Sequence, residues 1–203
     1  MSKYSLISLG SFFLLISFLL FLNIIYSYYF NFYLNINSYL PSMLISSLTG
    51  VSLIIFRKKY IFNSVYWKIF IVLVGYLILP IVIALPYYFS IYNISFLDSY
   101  FEAVSGFTST GFTIFETVKY IDPGLLIWRS TSQWIGGLYF LFSIIYLIDI
   151  FDENLKKSLT NFISFDSSEF LKQAFKILTI YILLTFLIFI FLKLINFRNF
   201  DAY

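Results

Sequence analysis

The sequence predicts an all-α, polytopic membrane protein with about five transmembrane helices and one helix–re-entrant loop–helix repeat. Three observations predict it. Of 203 residues, 61% are hydrophobic and only 11% are charged, where a soluble domain carries about 25% charged residues. Residues 4–56, between Lys3 and Arg57, carry no charge at all, which leaves room for two spans of ~20 residues each. One mixed segment, 89–124, interrupts the apolar pattern with a hydroxyl- and glycine-rich run.

The residue inventory excludes several classes of function. There is no cysteine and no histidine, so disulfides, thiolate metal sites and imidazole acid–base chemistry are all absent. Net charge is +3, too small a surplus for nucleic-acid binding through phosphates. An intramembrane enzyme would need paired carboxylates or an activated nucleophile, and the spans offer neither. The 27 Phe and 18 Tyr read as lipid-facing and interfacial side chains.

The elements follow in order. Residues 6–28 form the first helix; this apolar run is longer than the ~7–15 residues of a signal-peptide core, and no small-residue cleavage site follows it. Asn31, Asn35, Asn37, Ser38 and Pro41 mark a turn. The second helix covers 40–56 and closes on Arg57, Lys58 and Lys59. The third covers 67–88, with Pro80 and Pro86 tolerated where neighbours satisfy the freed carbonyls. The fourth covers 125–148, and a fifth 172–195 after a polar connector. An N-terminus inside places nine Lys and Arg on the cytoplasmic side and three (Lys119, Lys193, Arg198) outside, the asymmetry that sets orientation in short loops.

The segment Asp98 to Thr113, DSYFEAVSGFTSTGFT, carries the chemistry. Residues 98–105 read as a helix of about two turns, capped by Asp98 or Ser99 and stopped at Ser105-Gly106. It is too short to span, because a crossing needs ~20 residues. Thr108, Ser109, Thr110, Gly111 and Phe112 follow as an uncharged, extended run. Irregular backbone at membrane depth survives where protein buries it or where it lines a water-filled cavity. Its carbonyls can then replace the hydration shell of a monovalent cation, with glycine free to take a positive φ. An ordinary outer loop with Ser/Thr turns is the competing reading of the same composition.

FEAVSGFTSTGFT followed by LLIWRSTSQWIGG closely resembles the first pore repeat of the Trk/Ktr/HKT superfamily of potassium and sodium translocating subunits, Trk-type bacterial members above all. The resemblance implies a potassium-channel-like unit at 67–149, with first helix 67–88, pore helix 98–105, filter 108–112 and second helix 125–148. It implies an extra N-terminal helix pair over 1–60, a cytoplasmic connector over 150–171, and the first helix of a second, incomplete repeat over 172–203. Family members close one pore with four such filters in one polypeptide, so the chain is expected to be a truncated or split piece of a translocating subunit.

The resemblance further implies K+ as the transported ion, held by the backbone carbonyls of Thr108, Ser109, Thr110 and Gly111, with no cofactor in this chain. A glycine at position 111 matches the family members that favour K+; a Na+-permeable relative and a non-conducting assembly or scaffold fragment are the alternatives. Glu102 and Arg129 are expected to pair and brace the filter, since a buried charge seeks a partner; an arginine snorkelling to the interface is the other reading. Gly136 and Gly137 serve close helix approach or a kink. Expected partners are the lipid bilayer, the remaining pore repeats, a cytoplasmic nucleotide-binding regulatory subunit and a second copy of the subunit, with no nucleic acid. The expected location is the inner (plasma) membrane, with the N-terminus cytoplasmic.

Overall fold

The computed structural model describes residues 5–55, 65–147 and 170–195. Among these every regular element is helical: α1 (Ser5–Tyr29), α2 (Ile36–Ile55), α3 (Val65–Tyr88), α4 (Phe96–Phe107), a 3-10 turn (Val118–Tyr120), α5 (Pro123–Leu147) and α6 (Phe170–Leu194). The Arg57-Lys58-Lys59 cluster and all of the polar connector except residues 170–171 lie outside the described residues. The chain divides into two units, Met1–Gly137 and Leu138–Tyr203.

Four helical segments are long and apolar enough to cross a membrane: Ser8–Tyr29, Ile36–Ile55, Tyr66–Tyr88 and Lys176–Leu194. The protein is a multi-pass membrane protein. The sequence predicts about five spans, and the missing one is α5. At 25 residues α5 is about 37 Å long, enough for the ~30 Å hydrocarbon core. Its first half, however, holds Arg129, Ser130, Thr131, Ser132 and Gln133. Leu125, Trp128, Ser132 and Ile135 form a fully buried stripe at helical spacing. Polar character of this kind is tolerated where protein, not lipid, surrounds a helix.

Helices α1 and α2 form a hairpin. Asn31 ends α1 in the left-handed region at φ 60°. The Phe32 amide donates to Ser27 O at 2.8 Å and the Asn31 amide to Tyr28 O at 3.3 Å, which satisfies carbonyls that the helix end orphans. Helix α2 then begins at Ile36, four residues before the expected start, and keeps Pro41 inside its second turn. The seam between the two helices is built from small residues, as membrane packing favours. A Cβ on Gly10 would stand 3.0 Å from Gly50 O, and one on Gly50 the same distance from Gly10 O. Ser46 Oγ donates to Phe13 O at 2.7 Å and Ser17 Oγ to Met43 O at 3.2 Å. Gly50→Val is expected to force the helices apart at a cost of about 1–3 kcal/mol, read as a lower melting temperature in detergent; an unchanged melting point would remove the close crossing from this account.

Helix α3 is the post on which the next two elements hang. Tyr100 OH of α4 donates to Leu77 O at 3.0 Å, and Trp128 Nε1 of α5 donates to Ile83 O at 3.0 Å. Leu79, Ile83, Ala84 and Tyr87 are fully buried. In the second unit, the spanning part of α6, Lys176–Leu194, has no buried residue.

Candidate functional site

Helix α4 spans 12 residues, Phe96–Phe107, two longer at each end than the sequence predicts. Its cap is Ser95, not Asp98 or Ser99. Ser95 Oγ accepts from the Asp98 amide at 3.1 Å and donates to Asp98 Oδ2 at 2.7 Å, a reciprocal arrangement that puts the carboxylate in the first turn where the helix dipole favours it. Ser99 is instead fully buried. Gly106 does not stop the helix. It lets α5 approach, because a Cβ there would overlap Ser132 Oγ. Thr108 closes the helix, with both its amide and its hydroxyl donating to Val104 O at 2.8 Å.

The run Thr108 to Phe112 folds back over the end of α4. Ser109 takes φ 57° and Gly111 φ 80°, so two of its five residues sit in the left-handed region. Ser105 holds the loop from below. Its carbonyl accepts from the Thr110 amide at 3.0 Å and the Gly111 amide at 3.5 Å, and its hydroxyl donates to Phe112 O at 2.6 Å. Thr110 Oγ1 donates back to Ser105 O and Oγ, each at 3.2 Å.

Glu102 and Arg129 meet behind the loop. Arg129 Nε donates to Glu102 Oε1 at 2.5 Å. Glu102 is fully buried, and its Oε2 accepts from Thr113 Oγ1 and from the Ile114 amide, both at 3.0 Å. The carboxylate therefore has a cation and two further donors, which is what a buried charge needs. Arg129 also reaches the loop directly, through Nη2 to Gly111 O at 3.2 Å and to Phe112 O at 3.4 Å.

The carbonyls of the loop thus fall into two groups. Those of Gly111 and Phe112 accept from Arg129. Those of Thr108, Ser109 and Thr110 accept no hydrogen bond among the described residues, and all three residues are exposed. Free, uncharged carbonyl oxygens can solvate a weakly hydrated monovalent cation. Among the described residues no three His, Cys, Asp or Glu side chains gather as a divalent-metal site would require. Ser105 and Thr113 escape a reading of the sequence. They lie in a motif rich in hydroxyls, and nothing in the order of residues separates those that tie the loop down from the others.

No family model matches the chain. It is 39% identical over 64 residues to an uncharacterized cation transporter of Methanocaldococcus jannaschii, covering 32% of this chain and 14% of that protein. It is 30% identical over 81 residues to the Trk system potassium uptake protein TrkI of Halomonas elongata, covering 40% of this chain and 15% of the relative. It is 39% identical over 83 residues to TrkG of Escherichia coli K12, again 40% and 15%. The chain therefore spans only about one seventh of the length of these curated relatives. Its fold, over 100% of the chain, is that of 42% of the crystal structure of the potassium transporter TrkH from Vibrio parahaemolyticus, with a TM-score of 0.77 and 20% sequence identity.

Proposed function

We propose that the chain carries one filter-bearing repeat of a potassium uptake subunit, in which the loop 108–112 offers backbone carbonyls to K+ as it crosses the membrane. The observation that supports this most is the division of the loop's carbonyls: those of Thr108, Ser109 and Thr110 accept no hydrogen bond among the described residues, while the Glu102–Arg129 pair anchors Gly111 and Phe112 from behind. In this reading Arg129 occupies the Gly111 carbonyl in part, so coordination rests on the preceding three residues and Gly111 contributes chiefly its backbone geometry. One loop supplies ligands from one side only, whereas a carbonyl cage surrounds its ion. The site therefore acts with further filter loops, from the same longer polypeptide or from other subunits.

The names of the relatives, potassium uptake proteins and a cation transporter, support transport over catalysis. With the N-terminus inside, the membrane potential would draw cations inward at about 2.3 kcal/mol per charge per 100 mV. The loop then faces the outside of the plasma membrane, and the cytoplasmic face is free for a nucleotide-binding regulatory subunit. The test is K+ and Na+ flux through the product purified from its native cell, after its intact mass is established, in liposomes under an imposed potential. K+ flux exceeding Na+ flux supports the reading. Equal flux favours a Na+-permeable relative, and no flux favours a non-conducting assembly.

Gly111 gives the sharpest variant. A Cβ there meets nothing within 4 Å, yet φ is +80°, a region that costs an L-residue roughly 1–2 kcal/mol. Gly111→Ser is therefore expected to leave folding intact and to shift the loop, lowering the K+/Na+ flux ratio. An unchanged ratio would remove Gly111 from the filter.

A further inference from the structure

The end of α4 decides which way each peptide unit of the loop faces. The helix closes on Thr108, and the next two amides turn back onto its last carbonyls. Ser109 N–H donates to Gly106 O at 2.9 Å and Thr110 N–H to Ser105 O at 3.0 Å. This is the paired arrangement of a Schellman end, with Ser109 in the left-handed place that glycine commonly takes. The Gly111 amide follows to the same Ser105 carbonyl at 3.5 Å. None of these peptide bonds is cis, and in a trans unit the carbonyl points opposite to the amide. Three amides drawn in toward α4 therefore turn three carbonyls out, those of Thr108, Ser109 and Thr110.

The order reverses at Phe112. Its carbonyl faces inward, where it accepts from Ser105 Oγ at 2.6 Å and from Arg129 Nη2 at 3.4 Å. Ser105 is buried and lies within α4, so the helix fixes its position. It grips the loop at two points two residues apart: its carbonyl takes the amide of Thr110, and its hydroxyl takes the carbonyl of Phe112. The chain between them must reverse, and Gly111 does so at φ 80°.

We propose that Ser105 is a positioning residue for ion selectivity: its hydroxyl holds the Phe112 carbonyl away from the ion and ends the row of outward carbonyls at Thr110. The inference rests on the reading of the loop 108–112 as a K+ filter. The number and field strength of the carbonyls facing the ion bear on K+/Na+ discrimination, so a further carbonyl swinging outward changes what the loop prefers. Arg129 does not prevent this by itself. Its Nη2 is shared between the carbonyls of Gly111 and Phe112, at 3.2 and 3.4 Å, whereas the Ser105 hydroxyl has a single hydrogen and gives it to Phe112 O.

The test is the K+/Na+ flux ratio of the complete protein and its Ser105 variants, purified from the native cell and compared in liposomes, with the melting temperature in detergent measured alongside. Ser105→Ala removes the donor to Phe112 O and leaves the Ser105 carbonyl with its amides. It is expected to lower the ratio about fivefold, the factor that goes with one hydrogen bond, while total flux and the melting temperature stay close to those of the unaltered protein. Ser105→Thr keeps a hydroxyl and is expected to keep the ratio. Should the alanine variant fail to fold, Ser105→Cys, with a weakly donating thiol, is expected to show the same loss. An unchanged ratio in Ser105→Ala or Ser105→Cys would overturn the proposal, and so would a threonine variant as unselective as the alanine one. An unaltered protein that carries K+ and Na+ alike would instead overturn the filter reading itself, and this inference with it.

Discussion

Arg129→Met is expected to destabilise the protein by about 3–5 kcal/mol, the usual consequence of leaving one member of a buried ion pair behind. Glu102 has no access to solvent, and without Arg129 its charge rests on the Thr113 hydroxyl and the Ile114 amide alone. The double variant Glu102→Gln, Arg129→Met removes both charges while the amide oxygen keeps those two donors, so most of the lost stability should return. Transport should not return with it. Arg129 also donates to the carbonyls of Gly111 and Phe112, and methionine cannot. Melting temperature in detergent and the K+/Na+ flux ratio in liposomes separate the two roles. A single variant that melts with the unaltered protein would mean that the pair bears no load. A double variant with normal selectivity would mean that the guanidinium does not position the loop.

The contrast between these two roles reflects what a sequence can carry. Glu102 and Arg129 stand out because each is a charge in an apolar frame, and the structure sets them against each other. The further reach of Arg129 to two backbone carbonyls leaves no mark in the order of residues, since it depends on where the loop folds back. Apolar runs were equally plain for α1, α3 and α6, whose ends fall within about two residues of the expected ones. Helix α2 was less so. Pro41 reads as a turn residue, but in the second turn of a membrane helix its missing donor is tolerated, and the helix starts at Ile36. Gly106 reads as a stop, whereas it is a point of close approach to α5; both uses need the same absent Cβ. The hydrogen bond from Asn23 Nδ2 to Gly124 O at 3.2 Å is not legible at all. The two residues are 101 apart and meet only when the hairpin docks on α5.

Close approach also sets the other large effect. Gly136 lies on α5 one turn beyond Ser132, and together they receive the end of α4: Gly106 against Ser132, Phe107 against Gly136. A Cβ on Gly136 would overlap the carbonyl group and Cα of Phe107. These are backbone atoms of a buried residue, and Thr108 to Phe112 follow directly from it. No rotamer change can relieve the overlap, so α4 and α5 must separate and carry the loop with them. Gly136→Ala is therefore expected to lose at least about 3 kcal/mol, the upper end of ordinary overpacking, and to abolish flux even where protein still reaches the membrane. Gly106→Ala should cost less. Its new methyl meets the hydroxyl of Ser132, a short side chain that can turn away, and Ser132→Ala in the same chain should recover most of the loss. Gly111→Ala, with open space around its Cβ, should cost only the backbone strain. The order Gly136, Gly106, Gly111 in melting temperature is what the packing requires. If Gly136→Ala proves as mild as Gly111→Ala, the α4–α5 crossing is looser than this geometry, and the loop is held by Glu102, Arg129 and Ser105 alone.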